Sequence, residues 1–180
     1  MNIFEQEFLM AQVAEYSGLD KGKFQLWTNR YSITGGGEEP QGGGKRGVAR
    51  IFKFNHIMEY AIAKEFVEAG LSPKTAFKHG AKFAYFGTVG ELGEAPRLPA
   101  LPAHDSHGQT LIGVGGDECW IGCWKDSDAS VLGEIFSYLG GQNGSASHCT
   151  IINASIVFRQ VCKRMGLHDL EVLNDLYQVN

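Results

Sequence analysis

The chain has 180 residues, 43% hydrophobic and 20% charged, with a formal net charge of -4. This balance suits a globular chain of one or two small domains and argues against a uniformly basic nucleic-acid binder. No stretch approaches the roughly 18 uncharged apolar residues of a membrane span, and the N-terminus lacks a signal-peptide layout, so a cytoplasmic protein without membrane contacts is expected.

Charge is unevenly spread. Residues 1–86 hold 11 Lys/Arg against 9 Asp/Glu, residues 87–180 hold 5 against 11, and residues 21–53 hold 7 against 2. A local positive patch on an acidic chain can still meet a polyanion.

In chain order, MAQVAEY (10–16) predicts a short helix that ends in Ser17-Gly18-Leu19, after which Asp20 caps a second helix, DKGKFQLWTNR. On that helix Phe24 and Trp27 share one face, while Lys21, Gln25 and Asn29 recur at i, i+4 and i+8 on the other. One face packs and the other is polar and available.

YSIT (31–34) and GVARIFKF (47–54) predict two strands around GGGEEPQGGGKRG, a hairpin with a long glycine-rich tip. Gly42, Gly44 and Gly47 match the spacing of a dinucleotide fingerprint, but a strand follows them where that fingerprint needs a helix. A P-loop fails as well, because Glu39 holds the first glycine's place and Arg46 follows Lys45. The cations Lys45, Arg46, Arg50 and Lys53 would instead sit on the hairpin, where they can reach backbone phosphates.

Asn55 is placed to cap a third helix, HIMEYAIAKEFVEA, which stops at Gly70, and Ser72-Pro73 open a fourth helix through about Phe86. Lys74, Lys78 and Lys82 line its solvated face. From Gly87 to Gly108 the chain turns rich in Gly and Pro and reads as a linker holding solvated His104 and His107.

Beyond it, QTLIGV and ECWIGCWK predict a hairpin turning at Gly115-Gly116-Asp117. A helical stripe of Val131, Leu132, Ile135, Phe136 and Leu139 follows, then a strand, HCTIIN. Val157, Phe158, Val161, Cys162 and Met165 mark a helix closing at Gly166, and Leu170, Leu173 and Leu176 mark a last one.

Four cysteines are too few for the framework of a small secreted domain, and a reducing compartment leaves them as thiols. Cys119 and Cys123, with His148 and Cys149 further on, sketch a zinc set. The C-x3-C spacing departs from the usual C-x2-C, and on a strand Cys119, Ile121 and Cys123 simply share a face, so buried thiols are expected and no metal or cofactor.

The N-terminal order of helix, turn, helix, hairpin and two helices resembles the DNA-binding domain of MerR-like transcriptional regulators. QVAEYSGLDKGKFQLW is similar to that family's opening helix, glycine turn and recognition helix, with Val13 and Ala14 in core positions, Gly18 at the turn, and Phe24 and Trp27 in the leucine and aromatic places. RIFKFNHI resembles the segment leaving the family's wing, with Arg50, Phe52 and His56 in its arginine, tyrosine and aspartate places, and FVEAGLSP resembles the turn that joins the next two helices. The resemblance covers about residues 9–86. Gln25 stands where the family commonly has an arginine, Gly22 weakens the recognition helix, the wing tip is longer, and no long dimerising helix follows.

The resemblance implies a winged helix-turn-helix over 1–86; composition and periodicity add the linker 87–108 and an α/β module over 109–180 for dimerisation or effector binding, so an α+β chain in three parts is expected. The expected function is a DNA-binding transcriptional regulator, with double-stranded DNA and a second copy as partners and a small-molecule effector of unassigned identity. Lys21, Gln25 and Asn29 would face base edges, Lys23 and Arg30 lie on the same helix, and Lys45, Arg46, Arg50 and Lys53 would hold phosphates. An excisionase-like or phage architectural protein would share the module. The alternatives of another class are an interaction adaptor, or a ligand receptor or enzyme built on the C-terminal half around Trp120, Trp124, Phe136, Tyr138 and His148. No Ser/His/Asp order or paired carboxylates compel catalysis, so no enzyme is expected.

Overall fold

The computed structural model describes residues 2–30, 40–42, 49–89, 95–125, 130–140 and 147–178. Helix α1 (Met10–Ser17) buries Val13 and Ala14 and stops at Gly18, whose φ of 73° lies in the left-handed region that glycine occupies without steric cost. The Leu19 amide then donates to Ala14 O at 2.9 Å and closes the turn. Helix α2 (Lys21–Arg30) starts under Asp20, whose Oδ1 accepts from the Gly22 amide at 2.9 Å and the Lys23 amide at 3.1 Å. Helix, glycine turn and Asp-capped helix follow the sequence reading closely.

The strands differ from it. β1 (Phe8–Leu9) pairs antiparallel with β2 (Ile51–Phe52), Phe8 opposite Phe52, so the strand expected over 47–54 is short and takes its partner from the segment before α1. The cause is aromatic burial: Phe8 and Phe52 are both interior, and Phe8 meets the Tyr16 ring edge-on at 6.0 Å. Gln41, within the glycine-rich stretch, exchanges backbone hydrogen bonds with Ile51 at 3.1 and 2.8 Å. The expected strand YSIT and most of the glycine stretch, Lys45 and Arg46 included, lie outside the described residues.

Helix α3 (Phe54–Glu68) begins two residues earlier than expected, with Lys53 rather than Asn55 at its N-cap. His56 explains the shift, since its buried ring reaches back and Nδ1 accepts from the Lys53 amide at 3.0 Å. Helix α4 (Pro73–Tyr85) starts where predicted, with Ser72 Oγ accepting from the Thr75 amide at 3.2 Å and Pro73 in the first turn. The two helices pack closely because Gly80 has no side chain: a Cβ there would stand 2.9 Å from Glu59 O.

The segment 87–108 departs from the expected linker. Its described part is irregular but packed, with Arg97, Ala100, Leu101 and Ala103 buried and Thr88 paired with Arg97 through the backbone. Apolar residues spaced without period gave no sign of this.

The second sheet is antiparallel, in the order β4-β3-β5, from β3 (Gln109–Gly115), β4 (Glu118–Trp124) and β5 (Thr150–Asn153). Alternation assigns its faces. Ile112, Val114 and Cys119 turn to the main core with α6 (Ala154–Met165), while Leu111, Trp120 and Trp124 turn to α5 (Val131–Gly140) and its Val131, Ile135 and Leu139. α7 (Asp169–Tyr177) closes the chain, its Tyr177 hydroxyl donating to Pro102 O at 2.8 Å and accepting from the Leu98 amide at 3.0 Å.

These seven helices and two small sheets make an α+β fold among the described residues. One hydrophobic cluster runs from Ile3 to Leu173 and includes Phe54 of α3 set perpendicular to Phe158 of α6 at 6.3 Å. The composition breaks at 86 and 109 therefore mark changes of backbone regularity within a shared core. No helix of the described residues is long and apolar enough to cross a membrane.

Candidate nucleic-acid interface

Three aromatic contacts anchor the inner face of α2. Phe24, 1% exposed, meets Phe52 of β2 at 5.9 Å and Tyr60 of α3 at 4.6 Å, and Trp27, 6% exposed, meets Phe77 of α4 edge-on at 5.5 Å. Each buried aromatic of this size contributes several kcal/mol in order of magnitude, so the rotation of α2 about its axis is well determined. With these two residues inside, Lys21, Lys23, Gln25 and Asn29 are left exposed on the outer face. Leu26 shares that exposure at 45%. Arg30 ends the helix, and its side chain is outside the described set.

The strand against which Phe24 packs carries two more of the expected residues. Arg50 precedes β2 and Lys53 follows it, and both are half-buried. Lys53 is already engaged, its Nζ lying 3.1 Å from Glu7 Oε1. That pair was not foreseen, because it joins residues far apart in sequence. The outer face of α2 thus offers two ammonium groups and two side-chain amides, and the ends of the adjoining strand offer a guanidinium and a partnered ammonium. Amides of this kind match the donor and acceptor pair on an adenine edge, and the cations match phosphate oxygens.

A second residue unsigned in the sequence bears on the site. Arg164, in the last turn of α6, donates from Nη1 to Tyr16 O at 3.3 Å, beside the glycine turn that leads into α2. Only the fold brings it there.

The cysteines sit elsewhere. All four are free thiols, Cys119 and Cys162 buried, and burial pushes Cys119 up to about 11 and Cys162 up to about 12. Among the described residues no three His, Cys, Asp or Glu side chains come together as a metal set. Lys74, Lys78 and Lys82 lie along α4, where Lys78 Nζ pairs with Asp117 of the β3–β4 turn at 2.7 Å. His107 ends a short 3-10 turn (Asp105–His107) that His104 caps, and His104 Nε2 is 2.9 Å from Asn174 Oδ1 of α7, so His104 fastens α7 and is only half exposed.

No protein-family model matches the chain, and no curated protein matches it.

Proposed function

We propose that the chain is a cytoplasmic DNA-binding transcriptional regulator built on a MerR-like winged helix-turn-helix, with α2 as its recognition helix. The observation that supports this most is the division of α2: Phe24 and Trp27 are fixed in the core, and Lys21, Lys23, Gln25 and Asn29 are left outside on a helix that follows a tight glycine turn. A helix held this way can enter a major groove with its amides toward base edges. Arg50 and Lys53, with Lys45 and Arg46 of the glycine-rich wing and Arg30 at the helix end, would grip phosphates beside the groove.

A homodimer on two half-sites would supply the affinity that one small module lacks. The acidic balance of residues 87–180 suits a self-association or sensing role better than a second DNA contact. The direct test is binding of the purified protein to fragments of its own genomic neighbourhood, titrated against salt. Sequence-selective binding with a salt slope of several phosphate contacts supports the reading, and no binding at low salt removes it.

A further inference from the structure

The end of α6 meets the end of α1. Arg164 Nη1 donates to Tyr16 O at 3.3 Å, and a Cβ built on Gly18 would stand 2.8 Å from Arg164 Cζ and Nη2 and 3.0 Å from Nη1. The guanidinium therefore occupies the space that a side chain at position 18 would need. Tyr16 O is among the last carbonyls of α1, which a helix cannot satisfy from within, and the C-terminal end of a helix carries partial negative charge. Arg164 also lies in the last turn of its own helix, which closes at Gly166 with a φ of 72°. One cation thus serves two helix ends.

What it touches matters for α2. Gly18 and Leu19 form the turn, Asp20 caps α2, and Lys21 is its first residue, so the direction in which α2 leaves is set within three residues of Gly18. Tyr16 on the other side is fixed by its ring against Phe8 of β1. An Arg164 side chain that is itself solvent-exposed adds little to global stability, because exposed charge contacts are weak. Its effect falls on local geometry.

We infer that Arg164 is a positioning residue for the recognition helix, holding the α1–α2 turn from the C-terminal half of the chain so that α2 is presented to DNA at one angle. This rests on the DNA-binding reading of α2. It gives the C-terminal half a route to regulate recognition, since any partner or ligand that shifts α6 moves the guanidinium at the turn.

The test compares Arg164→Ala and Arg164→Lys in the full chain, first by amide exchange without DNA and then by binding. In Arg164→Ala the amides of Leu19 to Lys23 should exchange several-fold faster while those of α3 are unchanged, and Arg164→Lys, which keeps a donor for Tyr16 O, should lie between. Discrimination between the best site and a scrambled one should fall about tenfold in Arg164→Ala, the worth of one misplaced bidentate base contact. Its salt slope should stay within about 0.9 of wild type, because no phosphate contact is lost. Unchanged exchange in the turn, unchanged discrimination, or a slope reduced by a full contact would each overturn the positioning role. If Arg164→Ala does not fold, Arg164→Lys carries the same comparison. A wild-type protein that does not discriminate between sequences removes the DNA reading itself, a result separate from the exchange data.

Discussion

The Tyr85 hydroxyl donates to Glu59 Oε2 at 2.8 Å inside the α3–α4 pair, and it is the carboxylate's hydrogen-bond donor at a site where Glu59 is 1% exposed. Glu59 Oε1 has no hydrogen-bond partner among the described residues. Burial therefore pushes the carboxyl up to about 7, with the Tyr85 hydrogen bond acting weakly the other way. His79, wholly buried on α4, is shifted in the opposite direction to about 4, first by burial and then by Lys82 and Lys78, against a smaller opposing effect of Asp117 and the Gly116 backbone.

The two groups make stability depend on pH with opposite signs. Between 4.5 and about 7 the folded chain keeps a proton on Glu59 that the unfolded chain has lost, so stability falls as pH rises through that window. Between 6.5 and about 4 the unfolded chain holds a proton on His79 that the folded chain lacks, so stability falls as pH drops. Glu59→Gln, which still accepts from Tyr85, should be more stable than wild type near pH 8 by roughly 3 kcal/mol in order of magnitude. It should also become steadily less stable from pH 6.5 toward 4, where wild type is flatter. Urea unfolding at a series of pH values measures both; a variant with the wild-type pH profile contradicts the assignment.

Arg97 is the second buried charge. It donates to Phe83 O at 3.0 Å, Leu98 O and Leu101 O at 3.2 Å each, and Phe86 O, and its guanidinium carbon lies 4.7 Å from the Phe83 ring centre. These carbonyls include the exposed end of α4, so the guanidinium caps that helix and ties the irregular segment to it. Arg97→Ala should lower unfolding free energy by roughly 3 kcal/mol, because Leu101 O and Phe86 O lose their donor and the ring contact with Phe83 is lost, while Phe83 O and Leu98 O keep the Ala100 and Leu101 amides. Arg97→Lys should recover only part, lacking the planar fork. A loss below about 1 kcal/mol in chemical denaturation would show the carbonyls are satisfied without it.

Local signals carried much of the N-terminal fold. Gly18, Asp20 and Ser72-Pro73 act within three residues of themselves, and each does in the structure what its chemistry predicts. The C-terminal hairpin turned at Gly116 and the Gly166 helix stop were legible for the same reason. The shift of the α3 cap to Lys53 was not, since it depends on His56 choosing a buried position and a backbone donor over solvent. Nor were Glu7 with Lys53, Arg164 with Tyr16 or the packing of Arg97, which join distant segments that no periodicity links. At the candidate site the sequence supplied the exposed face of α2, and the fold supplied the partners that restrain its surroundings.

The Glu7–Lys53 pair makes its own prediction. Lys53 can meet a phosphate only by leaving Glu7 Oε1, 3.1 Å away, so Glu7→Gln should free it. DNA affinity at low salt should rise several-fold, and the salt slope should grow by up to about 0.9. Titration of both proteins over the same salt series decides it, and an affinity unchanged or reduced at every salt would take Lys53 out of the phosphate set.

On the proposed reading, Arg50 beside β2 and the outer face of α2 should differ in kind. Arg50→Ala should weaken binding to all sequences alike and reduce the salt slope by about 0.9, leaving sequence preference intact. Competition between specific and scrambled duplexes separates the two effects, and a lost preference would make Arg50 a base-reading residue.

As the proposed recognition helix, α2 should read bases with its outer face, and selection from a randomised duplex library measures this. Wild type should recover a defined site, and Gln25→Ala and Asn29→Ala should each relax preference at particular base pairs by roughly 1 to 3 kcal/mol while keeping the wild-type salt slope. Variants that select the wild-type site as strongly as wild type would contradict the account and make that face an ordinary solvated surface.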